Sequence, residues 1–362
     1  MKVPLVDLGW QHQQVADDVA AGWAAVVEAT AFVGGAAVAD FERAFAGYLG
    51  VPHCTGVANG TDALEVALRA LGVGHGDTVV VPANSFIASA EAVLRAGATP
   101  RLADVDDDTL LLDPVRLDLD GVTAVMPVHL FGQMAPMRAI LDVAGDRPVV
   151  EDAAQAQGAQ QDGAPIGRLG AAAGTSFYPG KNLGAYGEAG AVVTTDAAVD
   201  DAVRLLVNHG SRSKYDHETF GFNSRLDPLQ AVVLSAKLAR LEEWNELRRA
   251  AARRYDELLA GLDGVRRPVT APGNLHVWHL YTVRVADRDD VLGALHAADV
   301  GAGIHYPVPL HLTSALRNLG HDPGDFPVAE KAAAELLSLP IYPGITSDQQ
   351  EYVVDTLRTA LR

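Results

Sequence analysis

The 362-residue chain has a single cysteine, Cys54, so neither an intrachain disulfide framework nor a multi-thiolate metal site is open to it. The stretch Val51-Pro52-His53-Cys54-Thr55 leads into a strand-like run, which makes this thiol a buried structural group rather than a nucleophile. Basic residues are also scarce, with 28 Lys and Arg against 46 Asp and Glu and a formal net charge of -18. That balance argues against general binding to nucleic acid or to an anionic membrane, and an anionic substrate would need a locally basic pocket. No apolar run reaches membrane-spanning length, and Met1-Lys2-Val3-Pro4 lacks the regions of a secretory signal, so a cytoplasmic location is expected. Internal repeats, low-complexity tracts and long linkers are missing too, while the length suffices for a large α/β domain and a smaller one.

What is present is concentrated near the middle. Ser176 to Ala191, SFYPGKNLGAYGEAGA, places Lys181 among glycines and a proline just after a strand-like run, Ala171 to Phe177. Most lysines flanked by glycine are solvated loop residues, but one in a tight turn can reach inward, and a desolvated amine is a Schiff-base nucleophile and proton carrier. Pyridoxal 5'-phosphate is the cofactor that needs such a lysine. Upstream, Pro148-Val149-Val150 ends in Glu151-Asp152-Ala153-Ala154-Gln155, a buried strand delivering a carboxylate at its C-terminal tip. Such an acid often caps a helix, yet a carboxylate is also what keeps a pyridine nitrogen protonated. Independently, Val57-Ala58-Asn59-Gly60-Thr61-Asp62 opens a helix whose Leu64, Ala67, Leu68 and Leu71 share one face. The free amides of Gly60 and Thr61, with the Thr61 hydroxyl, suit a phosphate dianion.

Strand-like runs at Thr78 to Val81, Pro100 to Ala103, Ala124 to Val128, Pro148 to Val150 and Gly174 to Phe177 alternate with helix candidates at Ala88 to Arg95 and Pro136 to Val143. This alternation predicts a mostly parallel, doubly wound sheet, with Asp152 and the Lys181 turn beyond strand ends, where such sheets bind ligands. One long helix is expected next, capped by Asp227, with Pro228 in its first turn and Leu234, Leu238, Leu241, Trp244, Leu247 and Ala251 at helical spacing. The remainder, with strands at Leu280 to Val283 and Gly303 to Tyr306 and helices at Asp289 to Ala297, Val328 to Leu336 and Asp348 to Leu361, reads as a smaller α+β domain.

Two clusters invite a metal assignment, and neither has the spacing for one. Asp104-Val105-Asp106-Asp107-Asp108 has Thr109 where a calcium loop needs glycine and Val115 where it needs glutamate, so it reads as a solvated strand-to-turn exit. His276 and His279 flank an expected strand, where residues three apart face opposite sides. No metal is expected.

Taken in order, these motifs resemble the DegT and StrS family of nucleotide-sugar aminotransferases. The resemblance covers nearly the whole chain, from Pro4-Leu5-Val6-Asp7-Leu8 through Phe41-Glu42, Gly50-Val51, Val128-His129-Leu130-Phe131-Gly132 and Asn208-His209-Gly210-Ser211 to His305-Tyr306-Pro307 and Leu337-Ser338-Leu339-Pro340. It implies the α/β fold of type I pyridoxal phosphate aminotransferases, with a large cofactor-binding domain over residues 1–240 and a smaller C-terminal α+β domain over 241–362. Carried over by position, Lys181 holds the cofactor covalently, Asp152 pairs with the pyridine nitrogen, and Gln155 contacts the phenolic oxygen. Phe86 stacks on the ring, and Ser176 joins Gly60 and Thr61 at the phosphate. Gln155 and Gln157 stand where histidines are frequent, and Glu188, in place of a more usual aspartate, also reads as a solvated loop acid.

The resemblance further implies a homodimer with shared active sites, in which Asn208 and the segment Ser211 to Glu218 reach the neighbouring cofactor and sugar nucleotide. Lys214, Tyr215, His217 and Arg225 are the candidates for substrate recognition, with His305 and Tyr306 weaker ones. The implied reaction has two halves: an amino donor, expected to be L-glutamate, leaves pyridoxamine 5'-phosphate, which then aminates a keto sugar carried on a nucleotide diphosphate. The glutamine at 155, Asn182-Leu183-Gly184-Ala185-Tyr186, Lys214-Tyr215-Asp216-His217-Glu218 and Asn223-Ser224-Arg225-Leu226-Asp227 resemble the branch acting at C3 of TDP-linked 3-keto-6-deoxyhexoses; amination at C4 is the alternative. Lys181 argues against the sugar dehydratase branch, which carries histidine there. Cys54 is poorly placed for a desulfurase, and a cofactor-bound regulator would need a DNA-binding appendage or a basic surface.

Overall fold

The computed structural model describes residues 1–362. Helix α1 (Leu8–Glu28) starts where the Asp7 carboxylate accepts the Trp10 amide, and α2 (Ala36–Leu49) stops at Gly50, whose φ of 62° is the left-handed stop that glycine tolerates. Strand β1 (His53–Val57) runs into α3 (Gly60–Ala70), capped by the Asn59 side chain on the Asp62 amide. Alternation follows through β2 (Thr78–Pro82), α4 (Ile87–Ala96), β3 (Thr99–Ala103), β4 (Ala124–Val125), α5 (Met137–Ala144) and β5 (Val150–Asp152). A short antiparallel excursion, β6 (Gln160–Gln161) and β7 (Ala164–Pro165), precedes β8 (Ala172–Ser176) and β9 (Gly190–Thr194).

These strands form two ladders, β3-β2-β4 and β1-β9-β8-β5, that meet through parallel bridges Val125 to Val149 and Val128 to Asp152. The resulting order is β3-β2-β4-β5-β8-β9-β1, parallel throughout except for β9, as the alternation predicts. Strand interiors are apolar or small on both sides, because helices cover both faces. On one side Phe177 packs edge-to-face against the stacked pair Phe41 and Phe45, while Leu64, Leu68 and Val93 fill the other.

Helix α6 (Ala197–Val207) leads to a small hairpin, β10 (Ser211–Ser213) and β11 (Asp216–His217), and then to α7 (Pro228–Leu238) and α8 (Leu241–Leu258). The expected single helix is therefore two. Ala239 and Arg240 stay near helical dihedrals, so the apolar period runs through the break and hides it. Pro228 does open α7, but the Asp227 side chain makes no capping bond. Leu234 and Leu241 belong to the core around Phe41, whereas Ala251, Ala252 and Tyr255 line a separate core, and the break redirects the chain between them.

That second core lies against an antiparallel sheet, β12 (Val265–Arg266), β14 (Tyr281–Val285) and β15 (Leu336–Leu339), with α8, α9 (Arg288–Ala297) and α11 (Ser347–Ala360). Strand β13 (Asn274–Leu275) pairs instead with β6. Helix α10 (Pro327–Glu335) ends one residue earlier than expected, since Leu336 already begins β15. Gly303 to Tyr306 is not a strand: only Gly303 bridges, to Ser338, and the rest runs as a loop.

The acidic run after β3 also departs from expectation. Asp104 is buried and accepts the Val328 and Ala329 amides at 3.0 and 2.9 Å, capping α10 from across the molecule. Asp107 pairs with Arg266 at 2.7 Å and with Arg284 at 2.6 Å, tying this turn to the second sheet. Cys54 is buried in β1, and burial pushes its thiol up, which removes the thiolate needed for nucleophilic chemistry.

Candidate active site

The centre of the site is the tip of β5. Asp152 is buried; one carboxylate oxygen accepts the Ser89 hydroxyl at 2.6 Å and the other the Ala154 amide at 3.2 Å. Ser89 is in turn hydrogen-bonded to Ser85 at 2.6 Å. Burial pushes the Asp152 carboxyl up, while the Ser89 and Ala154 hydrogen bonds and the nearby Lys181 act against that rise. Behind it, His129 accepts the Ala135 amide on Nδ1, so its Nε2 proton points to Glu151, 2.9 Å away in a fully buried pair. Glu151 also accepts the amides of Gly167 and Gly170, which satisfies its charge away from the site.

Lys181 sits on the turn between β8 and β9. Its amide bonds to the Tyr178 carbonyl and that of Ala185 to the Phe177 carbonyl, each at 2.8 Å, closing a compact loop. The Lys181 amine makes no hydrogen bond or ion pair with the protein. Burial pushes it down to about 8, partly offset by Asp152, so roughly a tenth to a fifth of the amine is neutral near physiological pH. Two imidazoles approach the same space. Burial pushes His305 down to about 4 and holds His279 well below the usual range, with Lys181 adding to both effects.

The third component is the N-terminus of α3. A Cβ at Gly60 would come within 2.6 Å of the Ser176 Cβ, so glycine is what allows α3 to close on the end of β8. A Cβ at Gly190 would similarly meet the Asn59 carbonyl at 2.5 Å. First-turn amides have no intrahelical acceptor, and the Asn59 side chain serves only Asp62, which leaves the Gly60 and Thr61 amides beside the Ser176 hydroxyl. An unpartnered, half-buried amine, a buried carboxylate and an open helix N-terminus fit the carbonyl, ring nitrogen and phosphate of pyridoxal phosphate.

Phe86 caps α4 with half its surface exposed, its ring 5.4 Å from that of Tyr306. Gln155 accepts the Phe131 amide at 2.6 Å and donates to the Tyr306 hydroxyl at 3.1 Å. His305 is fixed by the Ser338 hydroxyl at 2.8 Å. These residues therefore gather at one place with Asp152 and Lys181. The hairpin candidates do not: Lys214, Tyr215 and His217 are exposed, and no hydrogen bond, ion pair or ring contact joins them to Lys181 or Asp152 within the chain. Asn208 and Arg225 bond to each other at 3.4 Å, with Asn223 at 2.6 Å from Arg225, at the base of this hairpin.

Sequence reasoning missed several participants. Ser89 is a lone hydroxyl at a fully buried position among Ala90, Ala92 and Val93, a polar break in an apolar face that could have signalled a partner. Asn182 donates to Asn245 and to the Val277 carbonyl, and accepts from or faces His279 Nδ1 at 3.3 Å, locking the turn beside Lys181 to α8. His279 is thus part of this site's wall, and His276 stacks on Trp278 at 3.8 Å outside any strand. Glu188 is exposed, in keeping with a solvated loop acid.

The profile of the DegT/DnrJ/EryC1/StrS aminotransferase family matches residues 14–358. A dTDP-3-amino-3,4,6-trideoxy-alpha-D-glucose transaminase of Streptomyces venezuelae is 44% identical over 99% of this chain and 96% of its own length. A pleiotropic regulatory protein of Geobacillus stearothermophilus is 41% identical, over 99% of this chain and 98% of its own. Among solved structures, DesV of S. venezuelae in complex with a ketimine intermediate has a TM-score of 0.97 at 43% identity, covering 100% of this chain and 99% of that one.

Proposed function

From the premise that the chain belongs to the DegT/DnrJ/EryC1/StrS aminotransferase family and is a pyridoxal phosphate sugar aminotransferase, we propose that it converts a TDP-3-keto-6-deoxyhexose to the 3-amino-3,6-dideoxy sugar with L-glutamate as donor. The observation that carries this reading is the unpartnered Lys181 amine held near the buried Asp152 at the strand tips, with the α3 N-terminus closing on the end of β8. When bound, the cofactor supplies an electron sink for the bonds at the reacting carbon. Lys181 would be the residue that holds it covalently, and its free amine would take the donor's α-proton and pass it on in the first half-reaction, then carry a proton back to sugar C3 in the second. Lys181's lowered basicity suits both tasks near neutral pH.

Asp152 would keep the ring nitrogen protonated, and its own hydrogen bonds from Ser89 and Ala154 hold the carboxylate in place. Gly60, Thr61 and Ser176 would bind the phosphate, Gln155 the phenolic oxygen, and Phe86 would cover the ring against water. His305 and Tyr306 line the sugar side. Asn208, Lys214, Tyr215, His217 and Arg225 serve the site of a second copy, which makes the enzyme a homodimer with shared sites. The exposure of the hairpin, 83% at Tyr215 and 98% at Phe220, supports this placement. The separate core around Tyr281 supports a division into domains 1–240 and 241–362, with Val3 as a strap onto the smaller one. We place the enzyme in the cytoplasm; no helix is long and apolar enough to cross a membrane.

Both ketone positions offer similar chemistry, so selection comes from how the pyrophosphate anchor and sugar hydroxyls turn one carbonyl toward the site. The C3 assignment draws on the 3-amino sugar named for the Streptomyces relative. Incubation with L-glutamate and separately generated 3-keto and 4-keto TDP-sugars, with products read by mass spectrometry and NMR, tests it. Amine at C3 is the expected product. Selective turnover of the 4-keto isomer refutes the position and leaves the aminotransferase intact.

A further inference from the structure

Lys237, on α7, is 1% exposed and has no carboxylate partner. Its amine donates to the Gly184 carbonyl at 2.6 Å and lies 4.5 Å from the centre of the Tyr186 ring. About two helical turns earlier on α7, Gln230 accepts the Tyr186 amide at 2.8 Å. Tyr186 is tethered at its far end by His12 of α1, 2.7 Å from its hydroxyl. All these contacts converge on residues 184–186, the returning limb of the turn that carries Lys181. The outgoing limb is held by the Lys181 amide on the Tyr178 carbonyl, by the Tyr178 amide on the Ser176 hydroxyl and by Asn182.

A lysine buried without an anion is costly, and an apolar residue of similar volume would fill the space without that cost. The cation is offset here by a carbonyl dipole, the negative face of an aromatic ring and the C-terminal end of α7. Two of those three belong to the Lys181 turn or adjoin it, so the free energy that keeps Lys237 buried depends on the position of that turn.

We propose that Lys237 is a positioning residue for the reaction: with Gln230 it clasps Gly184–Tyr186 to α7 and thereby sets the reach of the Lys181 amine. It touches neither cofactor nor substrate. The inference rests on the aminotransferase reading only for what the turn presents; the clasp itself is measurable without any sugar substrate.

The test is hydrogen exchange of the full-length protein, with and without pyridoxal phosphate, in Lys237→Met and Lys237→Gln. In the Met variant, exchange at the Lys181, Ala185 and Tyr186 amides should rise about tenfold while α7 and the central strands keep their protection. The dissociation constant for pyridoxal phosphate should rise, and kcat should fall with KM for the donor unchanged. Lys237→Gln, which keeps an N–H donor, should regain part of the protection. Unchanged exchange at the three amides overturns the proposal, as does a rise spread evenly over α7, or identical behaviour of the Met and Gln variants. If Lys237→Met does not fold, Gln230→Ala takes its place, with the same three amides expected to open and their unchanged protection again overturning the clasp. Failure of the C3 assignment would leave all these readings unaltered.

Discussion

Lys181 and Lys237 share one property and differ in another. Burial pushes both amines down to about 8, yet Lys237 is spent on the Gly184 carbonyl and the Tyr186 ring, whereas Lys181 has no partner in the protein. Lowered basicity alone therefore does not mark a nucleophile; an amine must also be left free and faced by the groups that its chemistry needs. Lys181 has those groups in Asp152 and the α3 N-terminus. Lys237 has only the turn it holds.

The largest effect that would break this comparison comes from removing the free amine. Lys181→Ala should lower kcat by at least about a thousandfold while the protein still binds pyridoxal phosphate noncovalently, seen as a shifted absorption band. Retained transamination in this variant would move the nucleophile elsewhere. Asp152→Ala should follow with a loss of about a hundred- to a thousandfold, from the missing partner of the ring nitrogen, measured as single-turnover rates with the donor alone. Near-normal rates would remove Asp152 from the chemistry.

Subunit sharing sharpens the contrast between the finished pocket and the exposed hairpin. If Lys181→Ala and Asn208→Ala are each inactive alone, verified mixed dimers should regain up to one working site per dimer. Strictly additive loss in such dimers would count against sharing. Arg225→Ala should have a smaller effect, about tenfold in KM for the sugar nucleotide with kcat little changed, as for loss of one charged hydrogen bond. The smallest effect concerns pH. Capture of pyridoxal phosphate by the cofactor-free protein requires the neutral amine, so its rate should rise with pH and level off above about 8. A rate flat from pH 6 to 9 would mean that Lys181 is already neutral or does not react.

Much of the site was legible because its parts are local and sit at strand ends. The run Val149 to Asp152 and the lysine turn announce themselves through apolarity followed by charge, and the mostly parallel sheet follows from the alternation, though its strand order and the antiparallel β9 do not. What stayed hidden depends on contacts far apart in sequence. Ser89 reaches Asp152 across 63 positions, and Asp104 caps α10 across more than 200, so neither has a local signature. The break between α7 and α8 escaped because the apolar period continues through Ala239 and Arg240. Gly303 to Tyr306 alternates like a strand but finds a partner only at Gly303, since its side chains are committed to the site instead.

Borohydride reduction of the pyridoxal phosphate-loaded protein, followed by peptide mapping, tests the central distinction most directly, because it fixes the cofactor to whichever amine carries it. The account predicts one labelled peptide, containing Ser176 to Ala191, with the label on Lys181. A stable adduct on Lys237, the fully buried lysine whose basicity is also lowered, or on any surface lysine, would contradict it.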